Sequence, residues 1–346
     1  CSSDLGTTEV VTARDTHLDR TVALKVLRPE ARADAATLER LRRAAQETGA
    51  LRGHGIVDVY DWEADAASAY LAMEFVDGGT LGDTLRSHGP VSPERALALA
   101  TATAGALEGI HRAGSVHGGV TPDAVLISRE GWSKLTTLRG GQAPATDPED
   151  ARHIAGYCSP EVLRGGPVDA SADVWALGVT LYESLTGARP FEGADAAAVA
   201  ASVQRDTPVA PSQRVVGVPF VLDGVVMRLL SRDPANRIAD AATARAELSK
   251  AAAGIAALVR VLGERGALTV LFEGGGVLLG SLFDARLVDR VHAVIAPMII
   301  GAAQAPSAVA GRGAWRMADA VRLREFEVHR LGADILVDGL VEWPEG

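Results

Sequence analysis

Lysine is nearly missing from this 346-residue chain: Lys25, Lys134 and Lys250 account for three of the 34 basic residues, and arginine supplies the rest. The two cysteines, Cys1 and Cys158, exclude a disulfide framework and a cysteine-rich zinc site. No apolar run reaches the roughly 18 residues that a membrane-spanning helix needs, and no secretory signal opens the chain. A cytoplasmic location and no membrane partner are therefore expected. Positive charge is also short: 44 acidic residues leave a net charge of −10, which argues against nucleic acid as a partner. What is present is a globular composition, 47% hydrophobic and 23% charged, and enough residues for two domains.

Hydrophobic periodicity orders these residues. Alternation predicts strands at Glu9–Ala13, Val22–Leu27, Ile56–Trp62 and Tyr70–Phe75. Helical spacing over Asp34–Leu51, rich in Ala, Leu, Arg and Glu, predicts one helix among them. Beyond residue 92 the pattern becomes helical. Ser92-Pro93-Glu94 is a helix start, with Ser as cap and Pro in the first turn of a helix running to about Arg112. A short hairpin at Ala124–Ile127 and Lys134–Thr136 follows. Helices are then expected near Ser171–Leu185, Asp195–Gln204, Phe220–Leu230 and Ala239–Ala252. From about Ala253 the character changes to a helix (Ile255–Arg265), a strand (Leu268–Phe272), a glycine turn and a helix (Gly276–Asp284). Strands are expected at Val288–Ala296, Val321–Arg330 and Asp334–Val341. The expected boundary lies near residue 252.

Five motifs occur in order along the first domain, residues 1–250. Val22-Ala23-Leu24-Lys25 resembles the strand whose lysine meets nucleotide phosphates, and lysine's rarity here adds weight to it. Tyr70 to Val76, followed by Asp77-Gly78-Gly79, resembles the hinge between lobes. Ser159-Pro160-Glu161 resembles the Ala-Pro-Glu motif, Asp173-Val174-Trp175 the central helix of the larger lobe, and Asp233 to Arg237 the segment whose arginine pairs with Glu161. In this order they resemble the motifs of bacterial serine/threonine protein kinases, and the resemblance implies a two-lobed α+β fold with a truncated N-lobe over about 1–77 and a C-lobe over about 78–250. It assigns nucleotide contacts to Lys25, Glu74 and Val76, and structural roles to Glu161, Asp173 and Arg237.

The same resemblance exposes what has been replaced. In Val116-His117-Gly118-Gly119-Val120-Thr121-Pro122-Asp123-Ala124, Gly119 stands at the catalytic aspartate, Thr121 at the loop lysine and Ala124 at the metal-binding asparagine. Thr137 replaces the metal-binding aspartate, and a neutral hydroxyl cannot supply the charge that holds magnesium. The glycine-rich loop falls on Ser3–Glu9 with one glycine, Gly6, and two acids, Asp4 and Glu9, that repel phosphate. The helix glutamate expected to pair with Lys25 falls on Ala44, with Glu47 one turn along. Asp123 adjoins Ala124 but is expected to point elsewhere. His117 is read as a packed histidine, and Cys158 as a small residue with no base to activate it. No metal is expected, ATP becomes a doubtful ligand, and the reading is a pseudokinase that recruits a protein partner.

The second domain, residues 253–346, carries Leu268 to Phe283, a strand, glycine turn and helix that form an anion site in physical terms. With Val288-Asp289-Arg290-Val291, Ile295 to Gly301 and Leu331 to Gly339, it resembles the C-terminal part of the riboflavin-biosynthesis deaminase-reductase, an α/β dihydrofolate-reductase-like fold. That resemblance implies NADPH as cofactor, phosphate contacts from Gly274, Gly275 and Gly276, and Glu273 beside the ribose or nicotinamide. A tight glycine turn capped by Glu273 is the structural alternative. Only the second half of such a reductase is present, so completion by dimerisation is one expectation. Three readings of the whole follow: a regulatory pseudokinase, an NADPH-dependent reductase of a phosphoribosylamino-pyrimidine, or a truncated fusion reading frame with no evolved joint function.

Overall fold

A computed structural model describes residues 8–29, 34–51, 53, 55–65, 68–138, 147–215, 218–219, 221–251, 287–295, 321–332 and 334–343. The chain divides into two compact units, Cys1–Ala252 and Ala253–Gly346.

The first unit opens with β1 (Thr8–Asp15) and β2 (Arg20–Leu27), followed by α1 (Ala35–Ala50), β3 (Val59–Ala64) and β4 (Ala69–Glu74). The strands form one antiparallel sheet in the order β1-β2-β4-β3. Asp34 starts α1 by accepting hydrogen bonds from the Ala36 and Thr37 amides, the cap expected of an Asp before an apolar-periodic run. Leu38 and Leu41 of α1 pack with Trp62 against Leu27 and Ala69 of the sheet. Ile56 and Val57, expected inside the third strand, lie outside it. The Val57 amide donates to the Leu135 carbonyl (2.9 Å) and Ile56 bridges Leu135 in parallel, so these residues are claimed by a later hairpin.

The rest of the unit is mostly helical. α2 (Leu81–His88) is followed by α3 (Pro93–Arg112), the hairpin β5 (Val125–Ile127) and β6 (Ser133–Leu135), α4 (Pro148–Ala155) and α5 (Pro160–Leu163). Then come α6 (Ala170–Thr186), α7 (Ala196–Arg205), α8 (Pro211–Arg214), α9 (Val221–Leu229) and a helix α10 over residues 241–251. Ser92 caps α3 with Pro93 in its first turn. α6 is apolar on nearly every face and is accordingly the buried axis of the core, with Val174, Trp175, Leu177 and Val179 all inaccessible. Gly178 permits its contact with α9, because a Cβ there would lie 2.7 Å from the Leu229 Cβ. The helix ends on Gly187, whose positive φ of 72° suits glycine.

In the second unit the described residues form β7 (Arg290–Ile295), β8 (Arg322–Leu331) and β9 (Asp334–Glu342), an antiparallel sheet in the order β7-β9-β8. The expected elements over 255–265, 268–272 and 276–284, with Glu273, Gly274, Gly275 and Gly276, lie outside the described residues. Among the described residues no helix is long and apolar enough to cross a membrane.

Candidate functional site

The loop from Val116 to Ala124 is held by one buried carboxylate. Asp173, inaccessible on α6, accepts from the His117 amide, the Gly118 amide and His111 Nε2, each at 2.8 Å. Three donors satisfy both of its oxygens, which is what a buried charge requires. Gly118 turns the loop with a φ of 69°. His117 is fully buried, with Nε2 3.3 Å from the Thr136 carbonyl, so its ring ties the loop to the segment after β6.

Gly119, next in the loop, has no side chain and contributes only backbone to the cavity it borders. Ala124 and Thr137 are both buried, at 7% and 4% exposure, so neither position presents an anionic oxygen. Asp123 sits in a 3-10 turn over Pro122–Ala124, and its carboxylate is turned to α2. Arg86 Nη2 donates to its Oδ1 at 2.7 Å, and His153 Nε2 of α4 lies 3.9 Å from Oδ2. Gly82 makes room for this pairing, since a Cβ there would fall 2.1 Å from Asp123 Oδ1. Beyond Thr137, the Leu138 amide donates to Thr48 Oγ1 of α1 at 3.1 Å, and Leu138 packs in the main core.

On the sheet side, Lys25 is half-buried on β2, an inner strand, opposite Val10 and Leu71. Ala44 is buried and apolar, while Glu47 borders a cavity against the 114–121 loop. The Glu74 carboxylate is gripped by Lys134 Nζ at 2.6 and 2.8 Å and also accepts from the Asp58 amide at 3.1 Å. Val76 packs with Ala23, Val57 and Met73. The structure thus brings Lys25, Glu74 and Val76 to one sheet and its exit, with the Glu74 side chain committed to Lys134.

Behind the loop, Arg237 is enclosed by acceptors. Its guanidinium meets both Glu161 oxygens, at 2.5 and 3.0 Å, and donates to the Ser231 and Ser171 carbonyls. It also lies 5.1 Å from the Trp175 ring centroid. Burial pushes the Glu161 carboxyl up, but the Arg237 hydrogen bond and charge outweigh it and leave it below its ordinary value. Nearby, the buried Tyr157 hydroxyl donates to Glu183 Oε2 at 2.5 Å. Burial raises both groups, and the Glu183 charge adds to the rise at Tyr157.

Residues 6–247 match the family described as the protein kinase domain. PknB, a serine/threonine-protein kinase of Mycobacterium leprae, is 39% identical over 258 residues, covering 72% of this chain and 42% of that protein. The chain belongs to the protein kinase family. PknL of Mycobacterium tuberculosis is 37% identical over 256 residues, or 72% of this chain and 64% of that kinase. The crystal structure of the Mycobacterium tuberculosis PknI kinase domain has a TM-score of 0.57 at 25% identity, covering 72% of this chain and 92% of that one. The chain spans about two fifths of the length of PknB. A second family, described as the RibD C-terminal domain, matches residues 185–337. Its match overlaps the kinase match over residues 185–247, where Phe191, Val199, Val203 and Leu229 belong to the main core of the first unit.

Sequence reasoning missed the Arg86–Asp123–His153 cluster, the Glu74–Lys134 pair and the Tyr157–Glu183 pair. A signal existed for one of them: Lys134 is among three lysines, and it pairs with Leu126 across a two-stranded hairpin.

Proposed function

We propose that the kinase-family unit is a pseudokinase, a regulatory or scaffold module that recruits a protein partner and does not transfer phosphate. The observation that carries the reading is the state of the Gly119–Ala124–Thr137 positions. Phosphoryl transfer relies on a carboxylate near the attacking hydroxyl and on anionic or amide oxygens that hold magnesium. Here those positions supply a hydrogen, a methyl and one buried hydroxyl, and the neighbouring Asp123 is engaged by Arg86. This donor set does not fit magnesium. Meanwhile the groups that shape the loop, Asp173 and the Glu161–Arg237 pair, are fully bonded. The loss is chemical and the frame is intact.

The test is phosphate incorporation from Mg·ATP into the chain itself and into a generic basic protein. None is expected; incorporation that disappears in Lys25→Ala would sink the reading. A thermal shift with ATP in the wild type that is absent in Lys25→Ala would assign Lys25 to nucleotide contact. An equal shift in both would remove that role.

A second reading, NADPH-dependent reduction of a phosphoribosylamino-pyrimidine by the second unit, is favoured by the RibD C-terminal match alone. It requires saturable quenching of tryptophan fluorescence by NADPH, and a flat titration ends it.

A further inference from the structure

We infer that the cavity beside the Gly118–Gly119 loop is a binding site for a small, uncharged, predominantly apolar molecule. The cavity measures about 830 Å³ and lies within the first unit. That is within the roughly 300–1,000 Å³ range of pockets that take drug-sized ligands, and well beyond the voids of ordinary close packing. Its floor is the 114–121 loop, and its walls come from α4, the turn at Tyr157–Ser159, α5 and α6.

Small and apolar side chains make the space. Gly118 and Gly119 face it from the loop, Ala151 and Ile154 from α4, and Ala172 and Ala176 from α6. The Asp173 carboxylate on α6 has its oxygens taken by two backbone amides and His111. The Tyr157 hydroxyl is likewise committed, to Glu183. Among the described lining residues, the other charged side chains are Arg43 and Glu47, one turn apart on α1 and of opposite sign. An anion or a cation entering this space would lose hydration against walls whose described charged side chains sum to no net counter-charge for it. A neutral apolar molecule meets no such penalty and gains from displacing water off apolar walls. The site does not depend on whether the unit transfers phosphate.

Cys158 borders the cavity and serves as a reporter. The experiment follows its modification by N-ethylmaleimide in full-length Cys1→Ser protein, with indole as the probe. Protection scales as 1 + [L]/Kd, so indole at about four times Kd is expected to slow modification about fivefold. Benzenesulfonate at the same concentration is expected to give none. Ile154→Trp, which fills the cavity, is expected to abolish indole protection, and Ala151→Phe serves the same purpose should Ile154→Trp fail to fold by circular dichroism. Absence of saturable protection by indole, equal protection by benzenesulfonate, or undiminished protection in a folded cavity-filled variant would each overturn the proposal.

Discussion

Arg237 has no accessible side-chain surface, while its partner Glu161 keeps 22%, and this difference decides what each deletion does. Removing Glu161 strands a fully enclosed cation; removing Arg237 leaves a carboxylate that still reaches water. Arg237→Met is therefore expected to cost about 3 kcal/mol, the low end for breaking a buried pair, read as a fall in Tm. Glu161→Leu is expected to cost more, and the double variant less than the sum. The pH dependence has a definite sign. The Glu161 carboxyl sits below its ordinary value in the folded chain, so its contribution is fully present above the unfolded carboxylate value near 4.3 and is lost as pH falls through the folded value. The Tm difference between wild type and Arg237→Met should accordingly narrow as melts are taken from pH 7 towards pH 3. Tyr157→Phe removes the hydroxyl that serves buried Glu183 and should cost roughly 1–3 kcal/mol at neutral pH.

At the scale of elements, helix–helix approach sets the next expectation. Gly178→Ala would ordinarily gain up to about 1 kcal/mol of helix propensity. On α6, however, the new Cβ would lie 2.7 Å from Leu229 Cβ and 3.2 Å from Leu230 Cδ2, so overpacking wins. A net loss of about 1–3 kcal/mol is expected, measured by chemical denaturation, with a compensating gain from Leu229→Ala in the same chain. The elements themselves were largely legible. Asp34 before α1 and Ser92-Pro93-Glu94 before α3 announced helix starts, and alternation located the sheet to within a few residues. α4 carried a similar signature in Asp147-Pro148-Glu149, and α2 carried a capping box in Thr80 and Asp83, yet both are only eight residues long and gave too little periodicity to register. Ile56 and Val57 read as strand because alternation reports burial and cannot tell a ladder from a bridge to a distant hairpin. Of the site, motif positions were visible but partners were not. Nothing local in the sequence brings Arg86 to Asp123 across 37 residues, or Lys134 to Glu74 across 60.

The molecule as a whole is uneven. In the first unit the buried side chains of α3, α6 and α9 join a single large core. In the second, Phe326, Val328, Val294 and Ile295 are each more than half exposed on a three-stranded sheet. Local stability follows buried apolar contact, so amide hydrogen exchange should separate the two. The α6 amides are expected to exchange slowest in the chain, and those of β7 and β8 orders of magnitude faster. Equal protection in the two regions would contradict the described packing.

The Glu74–Lys134 pair has a practical consequence that comes from lysine's rarity. A chain of this length ordinarily carries so many side-chain amines that acylating reagents report an average; this one has three. Lys250 is 73% exposed at the side chain, whereas Lys134 is 28% exposed and bound through two short hydrogen bonds. An acylating ester should mark Lys250 first and Lys134 only when the hinge loosens. Mass spectrometry of that one peptide then becomes a gauge of how often the strand leading out of the sheet parts from the hairpin beneath it, with no label introduced by mutation.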